Sequence, residues 1–231
     1  MKIILKKIFQ RISLLGFAYR MSYKLGLINM IPSAYIRSIS VRENGEFLVS
    51  VVSSERIIAF CPEEEAVLVR KTVLNKLIAA SLMLPKGFKL KVLYGYRSIG
   101  IQAKFWEETC AKIKERNPNL TTKEIENEAR FFSAMPNGNG PHQTGGAVDV
   151  LIVDAEGQAL NFGTEYRGYN KVVPMHSKFI TFEQEQSRKM LRNVMRSAGF
   201  VYYPGEWWHY SFGDQTWATY TGNKYALYDF I

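Results

Sequence analysis

The run Ala147-Val-Asp-Val-Leu-Ile-Val153 constrains this chain more than any other segment. Seven such residues, closed by a turn at Asp154-Ala-Glu-Gly157, predict a strand. Ala147, Asp149 and Leu151 share one face, and Val148, Val150 and Ile152 share the other. Both faces are otherwise aliphatic, so Asp149 carries a carboxylate into apolar surroundings, at a cost unless something compensates its charge. Whatever fold the chain adopts must bring a compensating group to that position.

A metal ion would serve. His142 lies in the loop just before the strand, and Gly145-Gly146 let the chain fold back so that both side chains meet. Some sixty residues on, Glu206-Trp-Trp-His209 offers a second imidazole and a second carboxylate. Two imidazoles and one carboxylate can hold zinc and leave a fourth position open for water. Glu206, three residues before His209, stands where a general base would be useful. On a regular strand Glu206 and His209 would point to opposite faces, so a shared centre requires irregular backbone, which Pro204-Gly205 makes plausible. The two tryptophans are expected to fill the core and shield the site rather than to bind a cofactor. Arg97, in the turn Gly95-Tyr-Arg-Ser98 after a strand, is placed to stabilise an oxyanion or to grip a carboxylate. A blander reading stays open for each: Asp149 as a turn cap, His142 and Arg97 as surface loop residues. His176 has no partner at ligand spacing, and no glycine-rich nucleotide motif is present. Cys61 and Cys110 match no zinc-finger spacing and read as unpaired thiols, with a single bridge left open.

Around these residues the pattern is mixed. Strand character is expected over 46–60, 88–94, 200–203 and 207–212. Helices are expected from Pro62 to about residue 84, from Ile99 to about Glu115, from Thr121 to about Ser133, and from Thr181 to Gly199. Thr121 with Glu124, and Thr181 with Gln184, form capping-box patterns. Residues 161–178 look irregular. The fold class is α+β: a single mixed domain whose small antiparallel sheet carries the site, flanked by helices.

Charge divides the chain. Residues 1–42 hold Lys2, Lys6, Lys7, Arg11, Arg20, Lys24, Arg37 and Arg42 and no acid; the remainder has 22 bases against 21 acids. A near-neutral body argues against a nucleic-acid partner. Residues 1–30 read as a basic amphipathic segment before a catalytic domain at 31–231. Ile4, Leu5, Ile8, Ile12 and Leu15 form one stripe, so residues 1–24 could lie on an anionic membrane surface, act as a poor signal peptide, or pack on the body. No apolar run is long enough to span a bilayer as a helix. The expected compartment is the cytoplasm, with membrane association left open; export to the periplasm is the alternative. Oligomeric state is not legible.

Four segments in order resemble the D-alanyl-D-alanine dipeptidases of the vancomycin-resistance type, within the zinc D,D-peptidases. They are Leu84–Arg97 with the helix before it, His142 to Asp149, Phe162-Gly-Thr164, and Glu206 to His209, together spanning roughly residues 60–212. The resemblance implies a D,D-peptidase and Hedgehog-like architecture with one Zn2+ per chain, held by His142, Asp149 and His209. It implies Glu206 as general base toward a metal-bound water, and Arg97 stabilising the tetrahedral intermediate. The expected activity is hydrolysis of D-Ala-D-Ala or a similar small dipeptide. The alternatives are a carboxypeptidase or endopeptidase acting on peptidoglycan stems, and a zinc-binding interaction module without activity. The chain departs from the family pattern at Gly140, where a Ser is usual, at Ser98, where Pro is common, and at Glu165-Tyr-Arg-Gly168, where an Asp that helps hold the substrate ammonium is absent. Glu165 is the one candidate to replace that anion.

Overall fold

The computed structural model describes residues 14–231, apart from 62, 63, 131, 137–139 and 169. In chain order it contains helix α1 over 14–24, α2 (Ser33–Arg37), β1 (Leu48–Ser50), β2 (Ile57–Ala59), β3 (Leu68–Arg70), α3 (Lys71–Leu82), β4 (Lys89–Tyr94), α4 (Ile99–Arg116) and α5 (Thr122–Ala129). A 3-10 turn (Pro141–Thr144), β5 (Ala147–Val153), α6 (Phe182–Ser197), β6 (Val201–Tyr202), β7 (His209–Ser211) and α7 (Gln215–Thr221) follow.

Five strands form one sheet in the order β2-β4-β5-β7-β6. The expected antiparallel sheet is thus corrected in one respect: β2 runs parallel to β4, while the other three pairings are antiparallel. β5 lies in the middle and every residue of it is buried, which is why its sequence is aliphatic on both faces. Its register sets Asp149 opposite His209 on β7 and Tyr94 on β4. Two segments distant in sequence therefore meet at one rung of the sheet.

α3 buries Val73, Leu77 and Ala80, which join Leu191, Val194 and Met195 of α6 in the main core. The expected helix start at Pro62 is wrong; Pro62 and Glu63 lie outside the described residues, and the helix begins at Lys71. Val69 fits the helical series with Val73 and Leu77, but it also alternates with Val67, and both valines are buried. Pairing of Leu68–Arg70 with β1 decides the matter, and β1 and β2 divide the expected strand at 46–60. Both predicted capping boxes form, at Thr121 with Glu124 and at Thr181 with Gln184.

Residues 161–178 hold no helix or strand among those described, yet they are pinned from beneath. Arg188 of α6 is completely buried and donates to the carbonyls of Phe162, Val172 and Pro174 at 2.6 to 2.9 Å. One guanidinium so replaces the ladder that a strand would supply.

Within α1, Tyr19 packs against Tyr35 and Tyr23 against Tyr220, at centroid distances of 5.2 and 5.0 Å. Apart from Leu15, the apolar stripe expected at the N-terminus lies outside the described residues. Among the described residues no helix is long and apolar enough to cross a membrane.

Candidate metal centre and catalytic cleft

His142 sits on the 3-10 turn that leads into β5. The turn closes at Gly145 in the left-handed region (φ 70°), where a Cβ would also meet Leu48 at 2.5 Å. Nδ1 of His142 lies 2.7 Å from the carbonyl oxygen of Gly95. A carbonyl only accepts, so Nδ1 carries the hydrogen and Nε2 of the neutral ring presents a lone pair. Residue 95 is itself packed tightly against β3, where a Cβ would collide with the Leu68 carbonyl.

Three atoms converge at the rung where β5 meets β7. His142 Nε2 is 3.2 Å from Asp149 Oδ1 and 3.1 Å from His209 Nδ1, and His209 Nδ1 is 3.1 Å from Asp149 Oδ1. Ligands about 2.0–2.1 Å from a tetrahedral zinc ion stand about 3.3 Å apart, so this triangle has nearly the dimensions of one zinc-coordination face. A proton can bridge only one edge of such a triangle, whereas one cation satisfies all three atoms. All three residues are buried, and they are the one group of metal-binding type found among the described residues.

The other carboxylate oxygen of Asp149 is held in place. Oδ2 accepts from Tyr166 Oη at 2.9 Å and from Arg97 Nη2 at 3.2 Å. Burial would raise the Asp149 carboxyl, but the two imidazoles beside it hold it well below the usual carboxylate range. Burial pulls His142 down to about 4, against the attraction of Asp149, so its ring is neutral. At His209 burial acts in the same downward sense, and the hydrogen bond and charge of Asp149 outweigh it.

Glu206 lies outside any strand. β6 ends at Tyr202, Pro204 and Gly205 form a turn, and β7 begins only at His209, so alternation breaks where the shared centre required it to. Glu206 Oε2 is 3.9 Å from His209 Nδ1. Burial pushes its carboxyl up to about 7, partly offset by His209 and Arg97. A carboxyl poised there can accept and return a proton near neutral pH.

Arg97 is buried against the rings of Tyr94 and Phe105, at 4.4 and 4.5 Å from their centroids. Its Nη1 donates to Gln102 at 3.1 Å, and Gln102 is anchored in turn on the Ala134 carbonyl. Its buried Nε has no hydrogen-bond partner among the described residues. Trp207 stacks on Phe162 at 4.2 Å and Trp208 meets Tyr166 edge-on, so both tryptophans pack as expected. His176 is exposed and contacts Tyr202. Cys61 and Cys110 are half-buried and unbridged.

The centre opens into a cleft of about 1000 Å³. Glu165 is exposed and does not line it; Arg167 does, at a positive φ of 58°, together with Arg37, Arg130 and Lys171. Sequence reading did not single out Tyr166 and Gln102 as parts of the site. Tyr166 falls in the stretch Glu165–Gly168, where the family pattern would place an Asp.

The family described as D-ala-D-ala dipeptidase, Peptidase M15, matches residues 55–227. A D-alanyl-D-alanine dipeptidase of Synechocystis sp. is 36% identical over 174 residues, covering 64% of this chain and 70% of that one. One from Enterococcus faecalis is 29% identical over 75 residues, covering 32% and 37%. Among solved structures, a vancomycin-resistance D,D-pentapeptidase VanY variant in complex with Zn(II) overlaps at TM-score 0.45 and 18% identity, over 80% of this chain and 93% of that one. The D,D-dipeptidase VanXYg in complex with a D-Ala-D-Ala phosphinate analogue overlaps at 0.46 and 17%, over 80% and 64%. With the family match running through most of its length and across every residue of the buried triangle, the chain belongs to the M15 peptidases, the D-Ala-D-Ala dipeptidase family.

Proposed function

We propose that this protein is a zinc-dependent dipeptidase that hydrolyses D-Ala-D-Ala or a similar small D-amino-acid dipeptide. The observation that carries the reading is the triangle of His142 Nε2, Asp149 Oδ1 and His209 Nδ1 with the Glu206 carboxylate 3.9 Å from its edge. In this reading one Zn2+ is held by those three residues. Bound there, zinc supplies Lewis-acid polarisation of the scissile carbonyl and acidifies the attacking water.

The remaining work falls to the chain itself. Glu206 takes a proton from the water as its oxygen bonds to the carbonyl carbon, and passes that proton to the amine nitrogen as the C–N bond breaks. Arg97 and Tyr166 fix Asp149 through Oδ2, leaving Oδ1 to face the metal position. Arg97 lines the cleft, and its guanidinium would stabilise a substrate oxygen bearing developing charge. Trp208 and Tyr203 wall the centre beside Glu206 and His209 and limit bulk water.

A second reading, a carboxypeptidase or endopeptidase trimming peptidoglycan stems, is favoured by the cleft itself. A volume of about 1000 Å³ lined by Arg37, Arg130, Arg167 and Lys171 exceeds what a dipeptide fills and suits a longer, acidic peptide. A zinc-binding module without activity has no use for a half-buried base at Glu206. The purified protein, incubated with D-Ala-D-Ala and with a stem pentapeptide, separates the three. Free D-Ala from the dipeptide alone supports the first reading, release from the pentapeptide the second, and release from neither the inactive module.

A further inference from the structure

The side of α1 turned away from the body is apolar and bare. Leu14, Phe17 and Met21 recur at helical steps, and Leu25 follows one turn on, so the four share one face. They are 69%, 59%, 36% and 66% exposed. The opposite face is the one that holds the helix to the protein. Tyr19 and Tyr23 meet Tyr35 and Tyr220 there, and Tyr23 Oη donates to Tyr202 Oη at 2.7 Å. The helix is therefore fixed with its apolar row outward. Beyond the helix the row continues in Leu27 and Met30. Isolated exposed leucines are ordinary in soluble proteins, but a contiguous row of this kind marks a binding surface.

Charge indicates what covers it. All eight side chains of residues 1–42 that are charged at neutral pH are basic, whereas the rest of the chain is nearly balanced. Lys24 is exposed at the end of the helix. Two copies meeting through this face would oppose like charges, while an anionic surface complements it. We propose that α1 docks along the surface of an anionic lipid bilayer, with Leu14, Phe17, Met21 and Leu25 among the acyl chains and the basic residues among the headgroups. Met30, Ile31, Ile36 and Arg37 line the cleft, so docking sets one wall of the cleft beside the bilayer. The proposal is independent of the chemistry at the metal centre.

The test is co-sedimentation of the full chain with vesicles of equal parts phosphatidylglycerol and phosphatidylcholine, against vesicles of phosphatidylcholine alone. The anionic vesicles are expected to bind at least about tenfold more tightly, and the difference should shrink at high salt. The double variant Phe17→Ser/Met21→Ser should lose about tenfold in partitioning. Its unfolding transition should match that of the parent, since both side chains are already exposed. Equal binding to the two vesicle types, or a double variant that binds like the parent, overturns the proposal. So does a concentration-dependent dimer in sedimentation velocity that the same substitutions abolish, because a second copy would then be the occupant.

Discussion

Glu206→Gln should stabilise the metal-free protein while abolishing hydrolysis, and the pH dependence of the first effect can be worked out. Burial raises the Glu206 carboxyl from 4.5 to about 7. A raised carboxyl means that the folded state holds a proton which the unfolded state has lost. Stability therefore falls as pH rises from about 4.5 to about 7, and is level outside that window. At about 1.4 kcal/mol for each tenfold in the protonation equilibrium, the full cost above pH 7 is about 3 kcal/mol. The side chain keeps 19% of its surface exposed, and water relieves part of that cost, so about 2 kcal/mol is the expected size. Gln cannot ionise and can still accept the hydrogen bond from Trp208. For a chain of this length, 2 kcal/mol corresponds to roughly 4–8 °C in Tm. The assay is thermal denaturation with chelator present, for parent and variant, at pH 5 and pH 8. The curves should nearly coincide at pH 5, and the variant should melt higher at pH 8. An offset that is the same at both pH values would refute the reasoning, because it would show that Glu206 carries no buried-charge penalty.

Two further substitutions separate holding the metal from doing the chemistry. Arg97→Lys keeps a charge but loses the fork that reaches Asp149 and Gln102 together, and kcat/KM should fall by about a hundredfold while zinc content, read by atomic absorption, stays at one per chain; a fall below about threefold would remove Arg97 from the machinery. Tyr166→Phe removes one of the two donors that orient Asp149, and zinc affinity in a chelator competition should weaken about tenfold, whereas an unchanged affinity would reduce Tyr166 to packing against Trp208.

Much of this site was legible because its signals are local. β5 announces itself by an aliphatic run interrupted once, and Thr121 with Glu124 and Thr181 with Gln184 carry their helix starts in four residues each. The break at Glu206 follows from Pro204-Gly205, since no other backbone lets residues 206 and 209 face one centre. What escaped depends on partners distant in sequence. Val69 satisfies helical and alternating spacing equally, and only β1 selects the strand. The short α2 and α7 went unseen, although Asp214 accepts from Trp217 N and caps α7 through a purely local pattern. Tyr166 and Gln102 join the site across folds of the chain that no spacing reveals. On α1 the outward face is set by Tyr19 and Tyr23 gripping the body, so apolar periodicity alone did not find the bare row.

The most direct test of the account is metal dependence of D-Ala-D-Ala hydrolysis, followed as free D-Ala. Stripped with a strong chelator and dialysed, the protein should be inactive; one equivalent of Zn2+ should restore full activity, with no further rise from a second equivalent. His142→Ala, which removes one corner of the triangle, should not be restored by one equivalent. Undiminished hydrolysis by the stripped protein, or full recovery of His142→Ala by one equivalent, would contradict the assignment of His142, Asp149 and His209 as the zinc site.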